Sequence, residues 1–175
     1  MLVLGGARSG KSATAEHVAA GLAGHRAVTV LATASVTDPD MAARVAAHRA
    51  RRPPGWTTTE TGADLLPALR ATEGTAVVES LGAWLAGLPD MVAPADELCA
   101  ALLGRDGHTV AVSEEVGLGV HPPTEAGRRF RDALGTLNQA VAAVAHEVVL
   151  VVAGRVLRLA DAADLGLAGV RRGAG

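Results

Sequence analysis

Apolar residues in this chain come in two rhythms. Short, mostly apolar runs fall at residues 2–4, 27–32 (AVTVLA), 75–79 (TAVVE), 108–112 (HTVAV) and 147–152 (EVVLVV). Such runs of this length, rich in valine, predict strands buried on both faces of a parallel sheet. Between them apolar positions recur every three or four residues. This spacing predicts helices over 12–22, 39–52, 63–70, 80–88, from residue 95 within 90–103, and 128–146. In the last of these the stripe is Phe130, Leu134, Leu137, Val141 and Val144, while Trp84 reads as a packing residue within 80–88. Residues 56–60 (WTTTE) read as a short extended piece and 155–159 as an edge strand. Strands alternating with helices imply a mostly parallel sheet flanked by helices.

The first strand runs straight into Gly5-Gly6-Ala7-Arg8-Ser9-Gly10-Lys11-Ser12. That is G-x-x-x-x-G-K-[ST] between a strand and a helix, the context in which the phosphate-binding loop is trusted. Gly5 and Gly10 permit backbone angles that a side chain forbids and let the main chain approach a phosphate. The loop N–H groups form an anion nest, and the helix N-terminus adds its positive end. Lys11 is expected at the β- and γ-phosphates and Ser12 on Mg²⁺. The fold expected is α/β: a single P-loop (RecA-like) domain over residues 1–159, with a glycine- and alanine-rich C-terminal tail, 160–175, that frays.

Other candidates follow from position. The polar loop Thr33-Ala34-Ser35-Val36-Thr37 comes after a strand, where ligand crevices of open α/β sheets lie. Asp38, Pro39 and Asp40 make a good start for the helix to Arg52. Met41, Val45 and His48 fall at helical spacing in it, and Arg44 and His48 share a face. Arg49, Arg51 and Arg52 crowd its last turn before Pro53-Pro54-Gly55. Two readings stand for His48: solvated charge at a helix C-terminus, or a nucleophile or acid–base group beside phosphate-binding arginines. Glu79 ends a buried strand and is either a Mg²⁺ acid or an ordinary strand-end carboxylate. The glycine-punctuated loop 113–123 borders the site; within it Glu115 is a catalytic candidate or a solvated acid. Arg128, Arg129 and Arg131 bind phosphate or face solvent.

Composition narrows the classes. With 175 residues, 49% hydrophobic and 19% charged, the chain can bury one sizeable core. A net charge of −2, with two Trp, one Phe and no Tyr, leaves neither a basic surface nor stacking platforms for nucleic acid. Cys99 is alone, so no intrachain disulfide forms and a reducing compartment is expected. No apolar run reaches a membrane span and no cleavable signal precedes the loop, so the expectation is cytoplasmic. Lys11 is the only lysine in the sequence. A switch GTPase needs a second one in its guanine-reading Asn-Lys-x-Asp, so that class is excluded. What remains is a small-molecule kinase or nucleotidyltransferase, with a RecA-like nucleotide-binding module as the non-enzymatic alternative.

The sequence also resembles a known family. GGARSGKS at 5–12, DPDMAARVAAHRARRPPGWTTTE at 38–60, VSEEVGLGVHP at 112–122 and the segment 127–154 are similar to the bifunctional adenosylcobinamide kinase / adenosylcobinamide-phosphate guanylyltransferase of cobalamin assembly. The likeness spans nearly all of 1–159. It implies phosphorylation of the aminopropanol hydroxyl of adenosylcobinamide with ATP or GTP, then transfer of GMP from GTP through a GMP–histidine intermediate. The histidine position falls on His48. Nucleotide contacts fall on the loop Gly5 to Ser12, on Thr33, Ala34 and Ser35, on Arg49, Ala50, Arg51 and Arg52, and on Glu60 and Glu79. The resemblance also implies a homo-oligomer, a trimer. The chain departs from the family pattern where Ser80 and Gly82 stand for Cys and Thr, and where Glu114 stands for Asn.

Overall fold

The computed structural model describes residues 1–34, 43, 46, 49, 50, 52–161 and 163. Its order is β1 (Leu2–Gly5), α1 (Lys11–Ala23), β2 (Val28–Ala32), β3 (Thr57–Glu60), α2 (Leu65–Ala71), β4 (Thr75–Glu79), α3 (Leu81–Gly87), α4 (Ala95–Leu103), β5 (Thr109–Glu114), α5 (Glu125–Val144), β6 (Val148–Val152) and β7 (Arg155–Leu159). A short 3-10 turn, Pro89–Met91, follows α3.

The seven strands form one sheet in the order β3-β2-β4-β5-β1-β6-β7. All neighbours are parallel except β6 and β7, which make an antiparallel hairpin. The loop strand β1 therefore lies in the centre, and β5 separates it from β4, the strand that ends in Glu79. The extended piece at 56–60 becomes the far edge, with Thr57 to Glu60 paired to Thr29 to Ala32.

Alternation along the strands sorts the core onto two faces. Leu2 and Leu4 join Leu31, Val78, Trp84, Leu98 and Leu134 under α2–α5. Val3 joins Val30, Val77, Val112 and Val151 under α1. The buried stripe of α1 is Ala15, Ala19 and Ala23, so the helix backbone lies close to the sheet. Trp84 is 1% exposed and its indole N–H donates to the Ala63 carbonyl at 3.0 Å, so it packs as expected. At the opposite end of the sheet Arg105 donates to the carbonyls of Leu69, Thr72 and Gly74, closing the end of α2; burial pushes its guanidinium below the usual arginine range.

Three boundaries differ from expectation. β5 runs on to Glu114, so Ser113 and Glu114 are strand and not loop. The ladder holds there because Gly5 pairs with Glu114, and Asn138 of α5 accepts from the Ser113 hydroxyl (2.6 Å) and donates to the Glu114 carbonyl (3.1 Å). α5 starts at Glu125 and not at residue 128, because the Thr124 hydroxyl caps the Gly127 N–H (3.1 Å). It ends at Val144, two residues before His146. Within the expected helix over 39–52, Ala43, Ala46, Arg49 and Ala50 are helical; Ser35, Arg44, His48, Arg51 and most of the 160–175 tail lie outside the described residues. Among the described residues no helix is long and apolar enough to cross a membrane.

Candidate functional site

The first seven residues of the loop motif, Gly5 to Lys11, fold the chain from β1 into α1. Gly10 sits at φ 97°, in the left-handed region, and caps the helix. A Cβ on Gly5 would stand 2.4 Å from Ser9 Oγ and 2.8 Å from the Val151 carbonyl, so only glycine fits. The Ser9 side chain is buried and accepts from the Lys11 N–H at 3.3 Å. Gly6, Ala7 and Arg8 are exposed, and Ser12 is half-buried in the first turn of α1. The loop is braced from outside by the β6–β7 turn: the Gly154 N–H donates to the Ser9 carbonyl at 2.8 Å.

Lys11 Nζ donates to the Gly6 carbonyl at 3.3 Å and lies 3.7 Å from Glu114 Oε1. The other carboxylate oxygen of Glu114 accepts from the Ser80 hydroxyl at 3.0 Å. That same hydroxyl accepts from the Ala83 N–H, capping α3. Thr33 is buried and joins β2 to β4: its hydroxyl donates to the Ser80 carbonyl (2.6 Å) and its N–H to the Glu79 carbonyl (3.0 Å). Ala34, next in the chain, is half-buried.

A second cluster centres on Arg52, whose side chain is 7% exposed. Its Nη2 is 3.1 Å from Glu79 Oε2, its Nε 3.4 Å from Glu16 Oε1, and its Nη1 donates to Thr58 Oγ1 at 2.7 Å. Arg52 thus ties the end of the arginine-rich segment to α1, β3 and β4. Arg49 pairs with Glu60 on the exposed rim, and Ala50 is exposed beside it.

The loop, Thr33, Ala34, Glu60, Glu79 and Glu114 all stand at or just past the C-terminal ends of β1, β2, β3, β4 and β5, the edge where open α/β sheets bind ligands. Other sequence candidates lie apart. Glu115 turns its carboxylate back onto the Gly117 N–H at 2.8 Å. Arg128 donates to the carbonyls of Pro122 and Pro123, and Arg131 Nη1 is 2.8 Å from His121 Nδ1, so both fasten the 113–123 loop to α5. Arg129 is exposed. Glu114, which the sequence showed only as a departure from the family pattern, was not taken there as a site residue. Counting by two from Val110 and Val112, both under α1, would have put it on the side of the loop lysine.

For a divalent cation, the Ser12 hydroxyl and the Glu79 carboxylate are hard oxygen donors, the kind Mg²⁺ takes alongside water and phosphate. Among the described residues no group of three or more His, Cys, Asp or Glu forms a self-sufficient metal site.

The chain is similar to known proteins over most of its length. The "Bifunctional adenosylcobalamin biosynthesis protein CobP" of Pseudomonas aeruginosa is 42% identical over 164 residues, covering 87% of this chain and 92% of that protein. The corresponding CobU proteins of Salmonella typhimurium and Escherichia coli are 37% and 34% identical over 176 residues, each covering 88% of this chain and 96% of theirs. Residues 1–159 match the family described as "Cobinamide kinase / cobinamide phosphate guanyltransferase". A likeness this long, reaching from the phosphate loop through the edge hairpin that braces it, establishes that the chain belongs to that family of enzymes.

Proposed function

We propose that the chain phosphorylates the aminopropanol hydroxyl of adenosylcobinamide and then joins GMP from GTP to that phosphate, with His48 as the nucleophile of the second reaction. The observation that carries this reading is the Gly5 to Lys11 loop, with Lys11 set at the crest of a parallel sheet. In the first reaction the substrate hydroxyl attacks the γ-phosphorus of a nucleoside triphosphate, and the bond to the diphosphate breaks. In the second, the neutral His48 imidazole attacks the α-phosphorus of GTP, and the bond to pyrophosphate breaks. The cobinamide phosphate oxygen then attacks the same phosphorus and the P–N bond breaks.

Lys11 and the loop N–H groups hold the phosphates through both reactions and neutralise the leaving pyrophosphate. Gly5, Gly6, Ala7, Arg8, Ser9 and Gly10 supply the cradle; Thr33 and Ala34 stand at the same edge of the sheet, and by family resemblance Ser35 would join them on the nucleotide. By family resemblance Arg49, Ala50 and Arg51 would contact the nucleotide along with His48, and Glu60 pairs with Arg49. Ser12 and Glu79 would hold Mg²⁺, which when bound offsets charge on the phosphate oxygens. Exposed apolar side chains along the edge hairpin, among them Val156, Leu157 and Leu159, support a self-associating protein, and family resemblance makes it a homotrimer. The lone thiol of Cys99 supports a cytoplasmic setting.

The test is incubation with GTP labelled in the α-phosphate. An acid-labile, alkali-stable label on the protein is expected, and His48→Ala should abolish it. Full labelling of His48→Ala removes His48 as the nucleophile; γ-phosphate transfer to adenosylcobinamide with no label on either protein reduces the chain to a kinase.

A further inference from the structure

The carboxylate of Glu114 lies 3.7 Å from the ammonium of Lys11, the cation that the phosphate loop offers to the terminal phosphates. A negative charge in that position is unexpected in a cradle for a polyanion. It is also firmly set. The Ser80 hydroxyl holds one carboxylate oxygen, and Asn138 holds the Glu114 backbone. Space for it comes from Gly82, where a Cβ would stand 2.1 Å from Glu114 Oε2. Ser80, Gly82 and Glu114 form one contact cluster. The Lys11 side chain is 12% exposed and that of Glu114 30%, so solvent screens their mutual field only in part.

The electrostatic consequence is direct. A bare triphosphate approaching Lys11 meets a fixed carboxylate within a few ångströms, and like charges at such a distance repel. A triphosphate that carries a divalent cation presents less negative charge to it. We propose that Glu114 is a specificity-determining residue of the phosphate site: as the counter-charge of Lys11, it selects the metal complex of a nucleotide over the bare nucleotide. This rests on the reading of Gly5 to Ser12 as the phosphate site, and it concerns binding, independent of either transfer reaction.

The test is equilibrium binding of a fluorescent GTP analogue, in excess Mg²⁺ and in excess chelator, to the full chain and two variants. In Glu114→Gln the affinity for the bare nucleotide should rise roughly tenfold, the equivalent of about 1.4 kcal/mol, with the Mg²⁺ complex changed by less than about threefold. Glu114→Asp keeps the charge and should keep the original preference for the metal complex. An unchanged ratio of the two affinities in Glu114→Gln overturns the proposal. So does an equal loss of affinity for both forms, which would mark Glu114 as a purely structural residue. Lys11→Ala separates this from the underlying reading: undiminished nucleotide binding there refutes the phosphate site itself, whatever Glu114 does.

Discussion

Replacing Arg52 by methionine asks whether that arginine is a phosphate ligand or a tie within the protein. Each nitrogen of its guanidinium has a protein partner: Glu16, Thr58 or Glu79. Arg52 is 7% exposed, and Glu16 and Glu79 are 12% and 13% exposed. Removing one partner of a fully buried pair costs about 3–5 kcal/mol. Here the residual exposure, and the further interactions that Glu16 and Glu79 make, lower the expected loss to about 2–3 kcal/mol. A domain of this length shifts by roughly 2–4 °C for each kcal/mol, so Arg52→Met should melt roughly 4–12 °C lower. Thermal unfolding followed by circular dichroism reads this directly, with nucleotide titration on the same samples. Arg52→Lys keeps the charge without the fork and should recover only part of the loss. A melting point within about 2 °C of the parent, with nucleotide affinity lost, would refute the tie and return Arg52 to the phosphates.

Further predictions concern the loop and the lone thiol. Gly5→Ala places a methyl group against Ser9 Oγ and the Val151 carbonyl, and should weaken nucleotide binding roughly tenfold or more in a titration while the far-ultraviolet spectrum is retained. Cys99 donates to the Ala140 carbonyl at 3.4 Å, and burial, then Asp96, hold its thiol above the usual range. Its alkylation at pH 8 should therefore be slower in the native protein than in urea, and equal rates would contradict the placement. Because the unfolded thiol ionises first as pH rises, stability should fall between the ordinary thiol pKa and the higher native one, and Cys99→Ala should remove that slope.

What the sequence disclosed depends on how local each feature is. The runs at 27–32 and 147–152 announced themselves because strands of a parallel sheet are apolar on both faces. The phosphate loop was legible because its spacing is the chemistry. β3 was read as extended, but its polar Thr57-Thr58-Thr59 could not reveal that it pairs with β2. Glu114 was not taken as a site residue because the apolar pattern ends at Val112, while a pairing with Gly5 of β1 carries the strand two residues on. Arg52 was visible as a charge beside His48; its carboxylate partners come from α1 and β4, 36 and 27 residues away. His48 owes its assignment to sequence pattern alone.

The turn between β6 and β7 is two residues, Ala153 and Gly154, both at positive φ. It looks like the most expendable part of the molecule, a tip on an outer hairpin. Yet Gly154 N–H reaches the Ser9 carbonyl, and its Cα lies 3.4 Å from where a Cβ on Gly10 would stand. The turn is a buttress whose length is set by the loop it supports. An insertion there, tolerable in most surface hairpins, would withdraw the support of Ser9 and Gly10 without changing any residue of the Gly5 to Lys11 loop.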